Sequence, residues 1–271
     1  MKSYLLKSIQ ASLSAGKAIL EVYSTDFKIE LKSDDSPLTT ADKLSHKIIK
    51  SYLSKFHIPI LSEEGKDVSY EERKNWDTLW IVDPIDGTKE FIKRNGEFTV
   101  NIALVKNGKP VLGVLLVPVK NTLYFAMQGI GSYKLDIDYS DTFQELSLDE
   151  IINRSEQLEK KPIKENSSHS EPYKIVGSRS HPTPELSKFV ETKRQEKGNV
   201  EFISAGSSLK FCLIAEGKAD IYPRLGPTRE WDTAAGHAIA EYAGATILIH
   251  GSDKPLAYNK KDLLNPWFVV C

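Results

Sequence analysis

Trp80-Ile81-Val82-Asp83-Pro84-Ile85-Asp86-Gly87-Thr88 runs an apolar strand into two carboxylates, a rigid turn and a helix start. Leu79 to Val82 is a short apolar and aromatic run, the composition of a strand. Pro84 supplies no ladder N–H and fixes its own φ, so the sequence predicts that the strand stops there with Asp83 at its carboxyl end. Pro84 also biases Asp83 to an extended conformation, Ile85 turns the chain and offers its carbonyl, and Asp86 follows three residues after the first acid. Three oxygens can then converge on one point. Gly87 permits close backbone approach to a ligand, and Thr88 is placed to cap a short helix through Lys89-Glu90-Phe91-Ile92 whose free amides suit a phosphate. Asp-Pro and Asp-Gly are also ordinary turn chemistry, so other carboxylates must decide.

Upstream, Ile58-Pro59-Ile60-Leu61 is a second apolar strand that also ends in acid, at Ser62-Glu63-Glu64-Gly65. Two neighbouring strands would deliver Glu63, Asp83 and Asp86 to one edge. Oxygen donors without His or Cys favour Mg²⁺ or Mn²⁺ over zinc, and a cluster this negative calls for more than one cation. A two-metal phosphoester hydrolase is the natural outcome. The third element lies far along the chain, where Tyr222-Pro223-Arg224 and Glu230-Trp231-Asp232-Thr233-Ala234-Ala235-Gly236 lead into an Ala-rich helical run ending near Gly244. Asp232 sits at the start of that helix, where an acid alone would read as a plain N-cap.

Taken together, the Glu-Glu pair, Asp-Pro-Ile-Asp-Gly-Thr and Trp-Asp before a small-residue helix resemble the lithium-sensitive, magnesium-dependent phosphatase superfamily of inositol monophosphatase, fructose bisphosphatase and the bisphosphate nucleotidases. The match spans nearly the whole chain. The run Lys89 to Leu104, with Gly206-Ser207-Ser208-Leu209-Lys210-Phe211-Cys212 and Tyr222-Pro223-Arg224, looks like the bacterial 3'(2'),5'-bisphosphate nucleotidase branch. The resemblance implies a layered α/β sandwich of the sugar-phosphatase type, αβαβα, with mostly antiparallel sheet.

It also implies roles by position. Glu63, Asp83, the Ile85 carbonyl, Asp86 and Asp232 would be ligands to two or three Mg²⁺, with Mn²⁺ as a substitute. Glu63 and the Thr88 hydroxyl would orient an attacking water, and Asp42 would join Thr88 in positioning that water or a weakly held third metal, while also favouring the helix start it occupies. Hydrolysis would proceed by metal activation of water without a covalent intermediate. Glu64 is either an outer partner of the site or a charged turn residue. The cleaved ester would lie on Asp86, Gly87, Thr88 and Asp232. Lys210 and Arg224 would meet the phosphate that is not cleaved, Ser207 would contact the nucleotide or merely cap the helix from Ser207 to Glu216, and His181 would touch the nucleotide. The implied substrate is 3'-phosphoadenosine 5'-phosphate, yielding AMP and phosphate, with 3'-phosphoadenylyl sulfate as a second substrate; an inositol or sugar phosphatase is the alternative, and a non-catalytic binder of phosphonucleotides a third.

Other chemistries have little support. Cys212 is followed by Lys218 and lacks the arginine a cysteine phosphatase needs, so it reads as apolar helix filling. Asp136-Ile137-Asp138 lies in a polar stretch without a strong preceding strand, and Gly16-Lys17-Ala18 lacks a phosphate-loop glycine upstream.

The chain has 271 residues and a net charge of −1, which argues against a broad nucleic-acid or membrane surface and leaves attraction of an anionic substrate to local charge. Two cysteines make no disulfide framework and suit a reducing cytoplasm, with peripheral association with the inner membrane left open. Met1 to Tyr23 carries Leu5, Ile9, Leu13 and Leu20 at helical spacing beside Gly16, interrupted by Lys7 and Lys17, the pattern of an amphipathic core helix and not of a membrane span. A helix is expected about Thr40 to Lys55, strands over Phe98 to Val105, Val111 to Pro118 and Leu123 to Ala126, and then strand Tyr173 to Gly177, helix Pro184 to Glu196, and strands Val200 to Ser204 and Ala219 to Tyr222. These divide the chain into an N-terminal subdomain, 1–152, carrying most of the metal ligands, a polar connecting loop, 153–171, and a C-terminal subdomain, 172–271, carrying the substrate cations and the last ligand.

Overall fold

The computed structural model describes residues 1–26, 29–31, 37–139, 145–159, 171–179 and 183–271. In chain order the first half holds α1 (Lys2–Tyr23), β1 (Ile29–Leu31), β2 (Pro37–Thr39), α2 (Thr40–Leu53), β3 (Ile60–Ser62), α3 (Tyr70–Arg73), β4 (Thr78–Asp86), α4 (Thr88–Ile92), β5 (Thr99–Lys106), β6 (Lys109–Val117), β7 (Thr122–Met127), β8 (Gly131–Asp136), α5 (Leu148–Asn153) and β9 (Glu156–Leu158). The second holds β10 (Tyr173–Ser178), α6 (Pro184–Lys197), β11 (Val200–Ala205), α7 (Leu209–Ala215), β12 (Tyr222–Arg224), α8 (Glu230–Tyr242), β13 (Ile247–Ile249) and β14 (Phe268–Val270).

A seven-stranded sheet, β3-β4-β5-β6-β7-β8-β9, is antiparallel except for the β3–β4 pair. Its central strands β4 to β7 are buried on both faces, and period-two alternation assigns each of their residues to a layer. Trp80, Val82, Val100 and Ile102 pack with Leu5, Ile9 and Ile49 of α1 and α2. Leu79, Ile81, Ala103 and Val105 pack on the opposite side with Phe211 and Ile214 of α7 and Ala234 and Ala235 of α8. The far side of α7 and α8 meets Ile247, Phe268 and Val270 of the three-stranded sheet β12-β14-β13, and α6 covers Ile175 and Ile221 through Leu186 and Val190. The order is therefore helix, sheet, helix, sheet, helix.

The Ala-rich run makes the inner helix layer thin. A Cβ on Gly113 of β6 would lie 2.4 Å from the Ala235 carbonyl oxygen, so glycine lets α8 rest directly on the sheet. In α1, Leu5, Ile9 and Leu13 are buried as the spacing predicts, but Ile19, not Leu20, completes the face. Among the described residues no helix is long and apolar enough to cross a membrane.

Four local features differ from the sequence expectations. The strand at the opening motif does not stop at Pro84 but continues to Asp86. Glu156–Leu158, inside the polar segment 153–171, is an edge strand paired with β8, and residues 160–170 lie outside the described ones. Asp136 is the last residue of a genuine strand, β8, whose Leu135 is buried. The strand expected over Ala219 to Tyr222 runs instead from Tyr222 to Arg224, with a single bridge from Ile221 to Ile175.

Candidate active site

β4 carries the first two acids, and an irregularity in its pairing explains how they meet. In a regular strand, residues three apart point to opposite faces. Here Asp83 pairs with Asn101 and Asp86 with Thr99, three residues against two, so a bulge returns Asp86 to the side of Asp83. Pro84, which has no N–H to lose, occupies the bulge; its carbonyl accepts the Ser45 hydroxyl at 2.8 Å, and the Ile85 amide donates to Asp83 Oδ1 at 3.1 Å. Gly87 then turns the chain at φ +89° and, in place of Thr88, is the N-cap of α4.

Oxygens of Asp83, Asp86 and Asp232 all lie within 4.8 Å of one another. Asp232 is the third residue of α8, where its Oδ2 also accepts the Arg229 amide at 2.8 Å, so the capping role and the place in the cluster coexist. Glu63, just beyond β3, lies beside Asp83, and Glu64 is half-buried next to it. On α2, Asp42 is 1% exposed and closes a capping box by accepting the Thr39 amide and hydroxyl at 2.8 and 2.6 Å. Its other oxygen stands 3.4 Å from the Thr88 hydroxyl, which is equally far from the Ile85 carbonyl oxygen.

The charges in this cluster oppose one another. Burial, then Glu63, Asp86 and Asp232, hold the Asp83 carboxyl well above the usual carboxylate range. Burial raises Asp86 to about 6 against the opposing pull of Lys210, and burial with Asp86 raises Asp232 to about 8. Acids that resist ionisation in each other's company, with only oxygen donors, fit hard divalent cations, whose charge offsets the repulsion.

A cleft of about 330 Å³ opens over the cluster and is walled on its far side by Ser207, Lys210, Tyr222 and Arg224. Lys210 is 4% exposed, and its ammonium donates to the carbonyls of Ala205, at 3.3 Å, and Ser207. Burial and the neighbouring Arg224 push it down to about 8. Arg224 donates from Nη2 to the Pro227 carbonyl at 2.7 Å, while its Nε is buried without a hydrogen-bond partner among the described residues. Ser207 does not cap α7, whose N-cap is Ser208; it adopts φ +46° and points its hydroxyl at the carbonyls of Asp86, at 2.9 Å, and Glu97, at 2.7 Å. His181 lies outside the described residues. Cys212 is buried in an apolar cluster that pushes its thiol up, so no thiolate is available there.

Sequence reasoning did not single out Glu97 or Arg179, although they form a bidentate pair beside the Ser207 loop. Only the bare presence of two opposite charges signalled it, because the partners are far apart in sequence.

The sequence matches the model of the inositol monophosphatase family over residues 1–266. The 3'(2'),5'-bisphosphate nucleotidases CysQ of Shigella flexneri and of Salmonella typhimurium are 43% and 44% identical to it, each over 96% of both chains. The crystal structure of CysQ from Bacteroides thetaiotaomicron, described as a bacterial member of the inositol monophosphatase family, superposes with a TM-score of 0.89 at 50% identity, covering 100% of this chain and 97% of that one.

Proposed function

The chain belongs to the inositol monophosphatase family, and we propose that within it the protein is a Mg²⁺-dependent 3'(2'),5'-bisphosphate nucleotidase. It removes the 3'-phosphate of 3'-phosphoadenosine 5'-phosphate to leave AMP, and accepts 3'-phosphoadenylyl sulfate as a second substrate. The identity to the CysQ nucleotidases over nearly the full chain supports the substrate class. The observation that carries the reading is a pair of cations on the cleft wall across from the acid cluster: Lys210, and Arg224, whose buried Nε has no hydrogen-bond partner among the described residues. Such a pair suits a second anionic group that a simple monophosphate lacks.

Glu63, Asp83, the Ile85 carbonyl, Asp86 and Asp232 would hold two or three Mg²⁺, with Mn²⁺ as a substitute, and bound cations supply Lewis-acid charge for attack of water on phosphorus. The chain's own groups do the rest. Asp42 and the Ile85 carbonyl aim the Thr88 hydroxyl, which with Glu63 orients the attacking water. Gly87 lets the cleaved ester approach the backbone, Asp86, Thr88 and Asp232 border it, and Lys210, Arg224, Ser207 and His181 retain the nucleotide. No side-chain nucleophile is required, in keeping with the buried, high-pKa thiol of Cys212. Phosphorus NMR of the products tests the assignment: AMP and inorganic phosphate in equal amounts are expected, and adenosine 3'-phosphate would overturn it.

A further inference from the structure

Three separated segments meet on Glu97. Its Oε2 accepts the Gly206 amide and Arg179 Nε, each at 2.9 Å, and its Oε1 accepts Arg179 Nη2 at 3.0 Å. The same Nη2 donates to the Ser204 carbonyl at 2.9 Å, and the Arg179 amide donates to the Ala205 carbonyl at 3.2 Å. The Glu97 side chain is 15% exposed and that of Arg179 49%, so the carboxylate is drawn inward and the guanidinium closes over it. Gly206 leaves no slack, since a Cβ there would lie 3.0 Å from both Cβ and Oε2 of Glu97.

The loop held in this way forms the cleft's far wall. Ser207 follows Gly206 at φ +46°, a conformation that a non-glycine residue keeps only when its surroundings hold it. Its hydroxyl faces the carbonyls of Asp86 and of Glu97 itself, which fastens the loop to the turn bearing the acids. The Ala205 and Ser207 carbonyls receive the Lys210 ammonium, so the loop also sets where that cation stands. Glu97 does not border the cleft; it acts through Ser207 and Lys210.

We propose that Glu97, through Arg179 and Gly206, is a positioning residue that fixes the Ser204–Ser208 loop against the Asp83–Asp86 turn and thereby sets affinity for the part of the substrate that is not cleaved. The substrate in this statement rests on the nucleotidase reading above. Glu97→Gln, Arg179→Met and the double variant test it, each assayed with Mg²⁺ on 3'-phosphoadenosine 5'-phosphate. Loss of a charge-assisted contact that orders the wall raises KM about tenfold, whereas kcat stays within about twofold because the acid cluster is untouched. The double variant should be no worse than Glu97→Gln alone, since the two side chains act as a unit. Amide hydrogen exchange at Gly206 and Ser207 of the substrate-free protein should speed up in all three variants. An unchanged KM, a kcat that falls in step with it, additive losses, or unchanged exchange would each overturn the proposal. Failure of the wild-type protein to prefer the nucleotide would instead overturn the substrate reading, while the exchange measurement would still judge the positioning role.

Discussion

Gly87→Ala tests whether the acid-bearing turn and the substrate wall are built against each other. Gly87 sits at φ +89° and ψ 45°, a left-handed conformation that costs an L-residue about 1–2 kcal/mol. The added Cβ would lie 2.1 Å from the Ser207 hydroxyl oxygen, which must move away. That hydroxyl has one hydrogen to share between the Asp86 and Glu97 carbonyls, so its displacement forfeits roughly 1 kcal/mol more. The sum, about 2–3 kcal/mol, corresponds to a fall in Tm of roughly 4–12 °C for a chain of this size. Calorimetry of the metal-free wild type, Gly87→Ala, Ser207→Ala and the double variant reads the coupling directly. With no hydroxyl to displace, Gly87→Ala should cost only the backbone component, giving a coupling of about 1 kcal/mol. Strictly additive changes would refute the contact, and a Gly87→Ala variant as stable as wild type would refute the strain as well.

Asp83→Asn keeps the acceptor for the Ile85 amide but removes a charge crowded by Glu63, Asp86 and Asp232; Tm without metal should hold or rise while Mg²⁺-dependent turnover falls by at least about 100-fold, the upper range for lost outer-shell groups. A lower metal-free Tm with turnover retained would contradict the assignment. Lys210→Met should lower kcat/KM for the bisphosphate nucleotide roughly 10- to 150-fold, the worth of one charge-assisted hydrogen bond, with a smaller loss on inositol 1-phosphate; equal losses in competition assays would contradict the specificity role. The pH dependence has a definite sign. Asp86 and Asp232 titrate at about 6 and about 8 in the metal-free fold, so between about pH 4 and 8 that fold holds protons the unfolded chain has released, and its stability falls as pH rises. Cations compete with those protons, so the Mg²⁺-induced gain in Tm should grow from pH 6 to pH 8; calorimetry with and without Mg²⁺ checks this, and a gain independent of pH would contradict it.

The acids were legible because each follows an apolar strand or opens a small-residue helix, features written in contiguous residues. The layered α/β class was legible too, since helical stretches such as Thr40 to Lys55 alternate with apolar strands such as Leu79 to Val82 and Phe98 to Val105. What local pattern misjudged was the course of β4 past Pro84. The strand survives because the proline falls in a bulge, and a bulge is fixed by register against Asn101 and Thr99, not by the sequence around it. The same holds for β9: Glu156-Gln157-Leu158 is polar enough to read as loop, yet it pairs with Ser132, Tyr133 and Lys134 at a sheet edge. Of the two sequence readings of Ser207, nucleotide contact or helix cap, the structure removes the cap, because the carbonyls of Asp86 and Glu97 capture its hydroxyl. The Glu97–Arg179 pair escaped notice for a similar reason, because nothing in either residue's neighbours distinguishes it from a solvated surface charge.

The most direct measurement of the central claim is phosphate release from 3'-phosphoadenosine 5'-phosphate, inositol 1-phosphate and fructose 1,6-bisphosphate side by side, across a Mg²⁺ titration and with and without Li⁺. A turnover that requires Mg²⁺, is inhibited by Li⁺ and favours the nucleotide is the predicted result. Preference for inositol or sugar phosphate would contradict the roles given to Lys210 and Arg224, and release that persists without divalent cation would contradict the metal site itself.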